Sequence, residues 1–285
     1  MAIDHVFVAG AGLMGHGIGQ VHAAIGKQVM LYEPDASRAE AGKARIAGNL
    51  DRAVAKGKLS TEERDAILAR VATSSDLQTA RTADLVIEAV FEDSDVKRAL
   101  WSKVDEVAPE RTIFASNTSS ISIDALAEAV SPARRERFVG MHFFSPVPVM
   151  PLVELIRGSA TTDETEGAIR ELSEALGKKL IVSADRPGFI VNRLLVPYLL
   201  DAIRSYEHGL GTLEDIDKGM QLGCGYPMGP FTLLDFVGLD TTYYIANIMF
   251  DEYREPAYAP PPLLKRMVLA GRLGRKSGQG FYKYS

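Results

Sequence analysis

Two ionisable side chains lie twelve residues apart in a stretch of sequence that is otherwise without charge. Residues 139–156, VGMHFFSPVPVMPLVELI, contain His142 and Glu154 as their only chargeable side chains. An ionised carboxylate in apolar surroundings costs several kcal/mol unless something pairs with it. A histidine held by a glutamate can act as a general base, because the carboxylate orients the ring and stabilises its protonated form. The alternative is a hydrogen-bonded core histidine beside a glutamate at the rim.

A glycine-rich loop near the N-terminus predicts a dinucleotide site. Gly10, Gly12 and Gly15 lie in the sequence GAGLMG, between a predicted strand and a predicted helix. In this motif the first glycine permits the tight turn, the second lets the backbone approach a pyrophosphate, and the third allows close packing of helix on strand. The next strand ends at Glu33, where an acid accepts hydrogen bonds from the ribose and would repel a 2′-phosphate. NAD is therefore favoured over NADP; the alternative is a glycine-rich turn without a ligand.

Polar side chains follow two further predicted strands. The strand at 85–90 is followed by Glu92, and the strand at 112–115 runs into the sequence SNTSS at 116–120, which contains Asn117. Ligands of an open parallel sheet bind at the C-terminal ends of its strands. These side chains could therefore contact a cofactor or substrate, or they could form an ordinary turn and helix cap.

The segment at about 36–70 is predicted to be a pair of helices inserted before the next strand. The first helix extends to about residue 56, and the second begins at Ser60, where Glu63 completes a capping box. One face of the first helix carries Arg45, Asn49, Arg52 and Lys56. Such a face could bind an anionic ligand, and the alternative is a solvated surface.

The order of predicted elements indicates an α/β fold with an additional helical domain. Strands and helices alternate up to about residue 186, which predicts a Rossmann-like dinucleotide-binding domain over 1–186 with a helical arm at about 36–70. From Phe189 onward the periodicity is helical, apart from a short strand predicted at 280–284, so residues 187–285 are expected to form an all-helical domain for substrate binding and dimerisation. Its first helix is apolar on nearly every face, which predicts a subunit interface and a homodimer.

Composition limits the classes of partner. The net charge is −5 and the pI about 5.6, so nothing attracts nucleic acid or an anionic membrane. The sequence contains neither a membrane-spanning apolar run nor a basic signal peptide, and its single cysteine, Cys224, fits a reducing cytoplasm. The remaining histidines lack metal-ligand spacing, so no metal is expected; they are His5, His16, His22 and His208.

Taken together, these motifs resemble the 3-hydroxyacyl-CoA dehydrogenase family, in particular its short, single-function members that act on 3-hydroxybutyryl-CoA. The resemblance covers essentially the whole chain. It is carried by GAGLMG at 10–15, SNTSS at 116–120, GMHFFSPVPVMPLVEL at 140–155, PGFIVNRLL at 187–195, GYPMGPFTLLDFVGLD at 225–240 and RKSGQGFYKY at 275–284.

The resemblance implies a role for each residue that matches a family motif. His142 matches the catalytic histidine and Glu154 its partner acid. Ser119 and Asn192 match the residues that orient the substrate, although by itself Asn192 could equally be a cap or a packed amide. The implied cofactor contacts are Gly10, Gly12, Leu13, Met14, Gly15, Glu33, Glu92, Lys97, Asn117, Ser119, Ser145 and Lys276. The implied CoA contacts are Asn49, Lys56 and Ser119. Ser145 stands where the family often has asparagine.

The activity implied is the NAD-dependent interconversion of (3S)-3-hydroxyacyl-CoA and 3-ketoacyl-CoA, of short chain length, in fatty-acid or butanoate metabolism. Two alternatives remain at this stage. One is a dehydrogenase of free hydroxy acids or sugar acids, which the basic helical face disfavours. The other is a catalytically silent dinucleotide-binding protein of the same fold, which the intact His142 and Glu154 disfavour.

Overall fold

The computed structural model describes residues 2–284 and divides the chain into two units. The first unit ends at Arg186 and the second begins at Pro187. Met1 and Ser285, which the predicted domains include, lie outside the described residues. No helix within residues 2–284 is both long and apolar enough to cross a membrane.

The first unit is built on an eight-stranded sheet, whose strand order is β3-β2-β1-β4-β5-β6-β7-β8. The strands are β1 (His5–Ala9), β2 (Gln28–Tyr32), β3 (Val71–Ser74), β4 (Leu85–Glu88), β5 (Ile113–Ser116), β6 (Phe138–Phe143), β7 (Leu152–Arg157) and β8 (Lys179–Ala184). Neighbouring strands are parallel, except that β6 and β7 are antiparallel. Strands β2 and β3 lie on one side of β1, and the strands from β4 to β8 lie on the other. The strand order therefore reverses next to the glycine loop, and folds of this kind bind ligands at such a point.

Helices cover the sheet and explain why its central strands read as continuous apolar runs. They are α1 (Gly15–Ala24), α2 (Ala36–Ala55), α3 (Thr61–Ala69), α4 (Ser94–Asp105), α5 (Ile123–Ala127), α6 (Pro132–Arg135) and α7 (Asp163–Ala175). Every residue of β4, β5 and β6 is buried. A strand that is covered on both faces is stabilised by apolar side chains on each face. The alternation of apolar and polar residues along the strand is therefore lost.

The predicted helical arm is formed by α2 and α3. Asp35 caps α2, which ends at Ala55 with Lys56 as its C-cap. The capping box that begins α3 is confirmed: the Glu63 N–H donates to the Ser60 hydroxyl at 3.1 Å, and the Ser60 N–H donates to the Glu63 carboxylate at 2.8 Å. No strand was predicted at β3, which follows the arm and is only four residues long.

The second unit is helical. It contains α8 (Val191–Glu207), α9 (Leu213–Cys224), α10 (Pro230–Val237), α11 (Leu239–Tyr253) and α12 (Pro262–Leu269). These helices enclose a core of their own that includes Leu200, Phe231, Leu234, Leu239 and Ala246. The α/β class followed by a helical domain is thus confirmed.

The short strand predicted at 280–284 is wrong. That segment takes part in isolated bridges only. Its polar groups are satisfied by two buried aspartates instead: the N–H groups of Phe281 and Tyr282 donate to Asp235 at 2.8 Å, and the Tyr282 hydroxyl donates to Asp217 at 3.1 Å.

Candidate active site

The antiparallel pairing of β6 and β7 brings His142 and Glu154 together. The two residues are direct partners in the strand register. His142 Nδ1 lies 2.8 Å from a Glu154 carboxylate oxygen. Glu154 is fully buried and His142 is 7% exposed, so bulk solvent weakens their interaction little. Because a carboxylate only accepts, Nδ1 carries the ring proton in the neutral histidine, and Nε2 carries the lone pair.

Asn117 fixes the end of the strand that carries His142. Its side-chain oxygen accepts a hydrogen bond of 2.9 Å from the Phe143 N–H, and its own N–H donates to the Glu88 carbonyl at 2.8 Å. The C-terminal ends of β4, β5 and β6 are thereby joined by hydrogen bonds. The Phe144 ring packs on the imidazole with 4.5 Å between ring centroids.

The glycine loop has the geometry that a pyrophosphate requires. Gly10 has a φ of +101°, and a Cβ there would lie 2.5 Å from the Ala89 carbonyl oxygen. A Cβ on Gly15 would lie 1.7 Å from the Gly10 carbonyl oxygen, so helix and turn could not approach as they do. At Gly12 a Cβ would meet no atom within 4 Å, which leaves this backbone open to a ligand. Among the described side chains none caps the N-terminus of α1, and such a helix end favours a phosphate. These residues fit a dinucleotide.

Glu33 is buried directly below this loop. One of its carboxylate oxygens accepts a hydrogen bond of 2.9 Å from the Ala11 N–H. The acid therefore holds the loop in place as well as lying at the end of β2, where a ribose is expected.

Glu92 and Lys97, two predicted cofactor contacts, belong to a buried ionic cluster with Glu88. Lys97 Nζ lies 2.5 Å from a Glu88 oxygen and 3.0 Å from a Glu92 oxygen. Glu88 is fully buried and Lys97 is 1% exposed. Burial alone would lower the pKa of Lys97, but the two carboxylates outweigh it and raise that pKa. Glu88, to which no sequence motif assigned a role, is the last residue of β4.

Ser119 is held by the same cluster. Its N–H donates to Glu92 at 2.8 Å, and its hydroxyl lies 3.4 Å from the same oxygen. The hydroxyls of Thr118 and Ser120 also donate to that oxygen. Burial alone would raise the pKa of Glu92, but Lys97 and the hydrogen bonds from Thr118 and Ser119 outweigh it, so that the pKa is lowered. The carboxylate thus stays ionised and accepts all four donors.

An open cleft of about 490 Å³ lies between α1, the helical arm and the loop after β6. Its lining includes the predicted CoA residues Asn49 and Lys56 together with Arg52 and Lys58, and the predicted cofactor residues Leu13 and Ser145. Asn49 donates to Gln20 at 3.0 Å and accepts from Arg52. The basic face of the arm therefore borders a cleft.

Lys178, which the sequence analysis missed, holds the loop that forms one wall of this cleft. Its ammonium is buried and donates to the carbonyls of Val147 and Met150 at 2.6 and 2.7 Å. Burial lowers its pKa. No sequence pattern pointed to Lys178, because the contact joins residues about thirty positions apart.

Two predicted site residues, Asn192 and Lys276, belong to the second unit. Asn192 is the second residue of α8 and is half-buried. Lys276 Nζ lies 2.6 Å from an Asp240 oxygen, and 48% of its side chain is exposed. The other predicted residues all lie in the first unit. Within residues 2–284 no group of three or more His, Cys, Asp or Glu side chains could hold a metal ion.

Comparison with known proteins gives the same family over both units. The model of the 3-hydroxyacyl-CoA dehydrogenase NAD binding domain matches residues 5–186, and the model of the C-terminal domain of that family matches residues 188–284.

Individual relatives match along at least nine-tenths of their length. A 3-hydroxybutyryl-CoA dehydrogenase of Mycobacterium tuberculosis is 49% identical over 286 residues, with 99% of each chain covered. The mitochondrial hydroxyacyl-coenzyme A dehydrogenase of Homo sapiens is 46% identical over 290 residues, covering 99% of this chain and 91% of the human one. The crystal structure of (S)-3-hydroxybutyryl-CoA dehydrogenase PaaH1 from Ralstonia eutropha superposes with a TM-score of 0.94 at 44% identity, and each chain is covered completely.

Proposed function

The chain belongs to the 3-hydroxyacyl-CoA dehydrogenase family, and from this premise we propose that it interconverts (3S)-3-hydroxybutyryl-CoA and acetoacetyl-CoA with NAD. A nicotinamide dinucleotide cofactor and the dehydrogenase activity follow from the family. The short acyl chain, the choice of NAD and the residue roles are the proposal. The observation that carries it is the buried contact of 2.8 Å between His142 and Glu154.

His142 acts as the general base. Its Nδ1 donates to Glu154, so Nε2 takes the proton of the substrate hydroxyl as the C3–O bond becomes a carbonyl. A bound nicotinamide would supply the acceptor for the hydride of C3. Glu154 stabilises the imidazolium that forms and holds the ring in its reactive orientation, and in the reverse reaction the imidazolium returns the proton.

Ser119 and Asn192 orient the substrate. The Ser119 loop is fixed by Glu92, and a hydroxyl presented by a rigid loop can hold an oxygen of the substrate in line with the base. Asn192 lies in the first turn of α8 and offers an amide for the thioester carbonyl.

NAD is preferred over NADP. The carboxylate of Glu33 lies at the end of β2, beside the glycine loop, and it would repel a 2′-phosphate. The remaining contacts to the cofactor come from Gly10, Gly12, Leu13, Met14, Gly15, Glu92, Lys97, Asn117, Ser119, Ser145 and Lys276.

CoA binds along the helical arm. The cleft beside α2 is lined by Asn49 and Lys56, and Arg52 and Lys58 add positive charge to it. The phosphates of a CoA nucleotide are the anions that such a surface attracts, whereas a free hydroxy acid would not reach it.

The protein acts as a homodimer in the cytoplasm, in fatty-acid or butanoate metabolism. Support for the dimer comes from large apolar side chains exposed on the second unit: Leu194, Leu210, Leu222 and Leu269. The exposed free thiol of Cys224 fits a reducing compartment.

The test is a spectrophotometric assay with 3-ketoacyl-CoA substrates of four to sixteen carbons, each with NADH and with NADPH. We expect the highest kcat/KM for acetoacetyl-CoA with NADH. Free acetoacetate serves as the control substrate, because activity on the free acid without activity on its CoA ester would identify the rival dehydrogenase. Tight NADH binding without any turnover would identify a silent binding protein.

A further inference from the structure

The turn that leads into α8 has a strained backbone. Gly188 has a φ of +83° and Phe189 a φ of +47°. A left-handed backbone is ordinary for glycine but strained for a residue with a large side chain. Phe189 is nevertheless buried, with only 3% of the residue exposed. Strain of this kind persists where the surrounding structure enforces it, and it is frequent at functional sites.

The first turn of α8 is wider than that of a regular helix. The Arg193 N–H donates at 2.9 Å to the carbonyl of Gly188, which lies five residues back. A regular α-helix pairs each N–H with the carbonyl four residues back. Asn192 lies within this turn, so the position of its amide group depends on the conformation of the turn.

Arg193 and Tyr253 hold the turn from its two sides. The Arg193 guanidinium lies 3.9 Å from the centroid of the Tyr253 ring and 5.7 Å from that of Tyr258. A guanidinium over a tyrosine ring is attracted to its face, more strongly when water is partly excluded. The Tyr253 hydroxyl donates at 2.9 Å to the carbonyl of Pro187, which precedes Gly188. One tyrosine therefore contacts the chain both before and after the left-handed residues.

The support for this tyrosine is the helix α11, which ends at Tyr253. A Cβ on Gly188 would lie 2.9 Å from the terminal methyl group of Met249, which is fully buried in the core of the second unit. Met249 and Tyr253 are four residues apart, so they share one face of α11. The turn thus packs on a helix face that the core already fixes.

We propose that Arg193 and Tyr253 are positioning residues, which hold the turn at 187–193 so that Asn192 meets the thioester carbonyl of the substrate. The inference rests on the proposed function for the role of Asn192. The contacts on both sides of the turn stabilise the left-handed conformation of Phe189, and this conformation places Asn192.

The first test is Tyr253→Phe, which keeps the ring under Arg193 and removes the hydroxyl that binds Pro187. We expect kcat for acetoacetyl-CoA reduction to fall roughly threefold to tenfold, as the loss of one hydrogen bond allows, with an unchanged KM for NADH. We also expect the amides of 189–193 to exchange hydrogen faster in the protein without substrate. Wild-type kcat together with wild-type exchange would overturn the proposal.

A second variant, Arg193→Met, removes the charge from the stack and keeps an unbranched side chain. It should lower kcat on the order of tenfold to a hundredfold, because the misplacement of an orienting group is costly. It should also accelerate exchange at 189–193. If it instead raises the KM for acetoacetyl-CoA and leaves kcat and exchange as in the wild type, Arg193 binds the substrate directly and the proposal is overturned.

The third test separates positioning from general destabilisation by a double-variant cycle with Asn192→Ala. An action through the amide of Asn192 disappears when that amide is absent. We therefore expect Tyr253→Phe to lower kcat in the wild-type background and to have no further effect on kcat in the Asn192→Ala background. An equal loss in both backgrounds would show a general structural effect and overturn the proposal.

Two matched controls belong to the same unit. Tyr282→Phe removes a hydroxyl that donates to Asp217 at 3.1 Å, and Arg254→Met removes a guanidinium that lies 5.8 Å from the centroid of the Phe250 ring. Both should keep kcat and the exchange rates at 189–193, and Tyr282→Phe should lose stability. Hydrogen exchange needs no turnover, so a wild-type enzyme inactive on acyl-CoA would contradict the proposed function and leave the exchange measurements to decide the positioning role.

Discussion

At the scale of single residues, two buried histidines of the first unit differ in their hydrogen-bond partners. His142 Nδ1 donates to the carboxylate of Glu154 at 2.8 Å. His22 Nδ1 donates to the Ile18 carbonyl at 2.7 Å, and its Nε2 has no hydrogen-bond partner among residues 2–284. Burial lowers the pKa of His22 to about 4. His22 therefore stays neutral at ordinary pH, whereas His142 is held by a carboxylate.

The role of His142 predicts a specific loss on substitution. We expect His142→Gln to bind NADH normally and to lose roughly a hundredfold to ten-thousandfold in kcat, because general-base catalysis contributes about that much. The measurements are a fluorescence titration with NADH and initial rates with acetoacetyl-CoA. His208→Gln, at an exposed position, is the control. Near-normal turnover by His142→Gln would remove the general-base role.

The pKa of His22 predicts a loss of stability in acid. The unfolded chain binds a proton below pH 6.5, but the folded protein does so only below about pH 4. This contribution to stability is therefore fully present above pH 6.5 and is lost as the pH falls from 6.5 to 4, by roughly 3 kcal/mol in total. Trp101, the single tryptophan, is buried in the same unit, so its fluorescence can follow denaturant unfolding across this range.

The control for this prediction is a comparison of two variants. His22→Leu should flatten the pH dependence between 6.5 and 4, because it removes the group that titrates. His208→Gln should leave the dependence as it is in the wild type. An unchanged slope in His22→Leu would assign the acid sensitivity to other groups.

At the scale of elements, strand register and loop anchoring assemble the site. The antiparallel pairing of β6 and β7 places His142 opposite Glu154, and a shift by one residue would direct the two side chains to opposite faces. The connecting loop is long and rich in proline, and Lys178 fixes it by donating to two of its carbonyls. The same loop and the helical arm form the walls of the cleft.

The helical arm predicts where the CoA nucleotide is recognised. We expect Lys56→Glu to raise the KM for acetoacetyl-CoA roughly tenfold, because that factor corresponds to the loss of one charge-assisted hydrogen bond. The KM for a truncated thioester that lacks the nucleotide should stay unchanged. Arg45→Glu is the matched control, because Arg45 lies on the same helix but does not line the cleft. Equal effects of Lys56→Glu on both substrates would place CoA elsewhere.

At the scale of the whole molecule, each unit has a core of its own, and the second unit exposes several large apolar side chains. Leu222 is 86% exposed on α9, and Leu269 is 78% exposed beside Ala270, the C-cap of α12. Exposed leucines in such number mark an interaction surface. The first unit also exposes large apolar side chains, among them Leu13, Phe91 and Val149, and Val182 on β8, which is an edge strand of the sheet.

The proposed homodimer can be tested by mass. Sedimentation equilibrium should give twice the mass of the 31.0 kDa chain. A charge at the apolar surface destabilises the dimer if that surface is buried in it. We therefore expect at least one of four variants to lower the mass to that of one chain: Leu194→Lys, Leu210→Lys, Leu222→Lys and Leu269→Lys. Val182→Lys should leave the mass unchanged; if it alone dissociates the protein, the edge strand is the interface.

The sequence by itself determined the features that depend on neighbouring residues. The glycine spacing at 10–15, the capping box of Ser60 and Glu63, and the buried strands predicted at 85–90 and 112–115 follow from local backbone sterics and local burial. The α/β class and the helical second part follow from the order of these elements. A resemblance between motifs then supplied roles for residues that local physics leaves undetermined.

Tertiary structure alone decided which distant side chains meet. The four-residue β3 depends on pairing with β2, and the segment at 280–284 is held by Asp217 and Asp235 instead of a neighbouring strand. The enclosure of Lys97 by two carboxylates likewise has no local signature. Such contacts join groups that meet only when the sheet and its loops have formed. Their free energy depends on burial, and burial in the folded chain cannot be deduced from neighbouring residues alone.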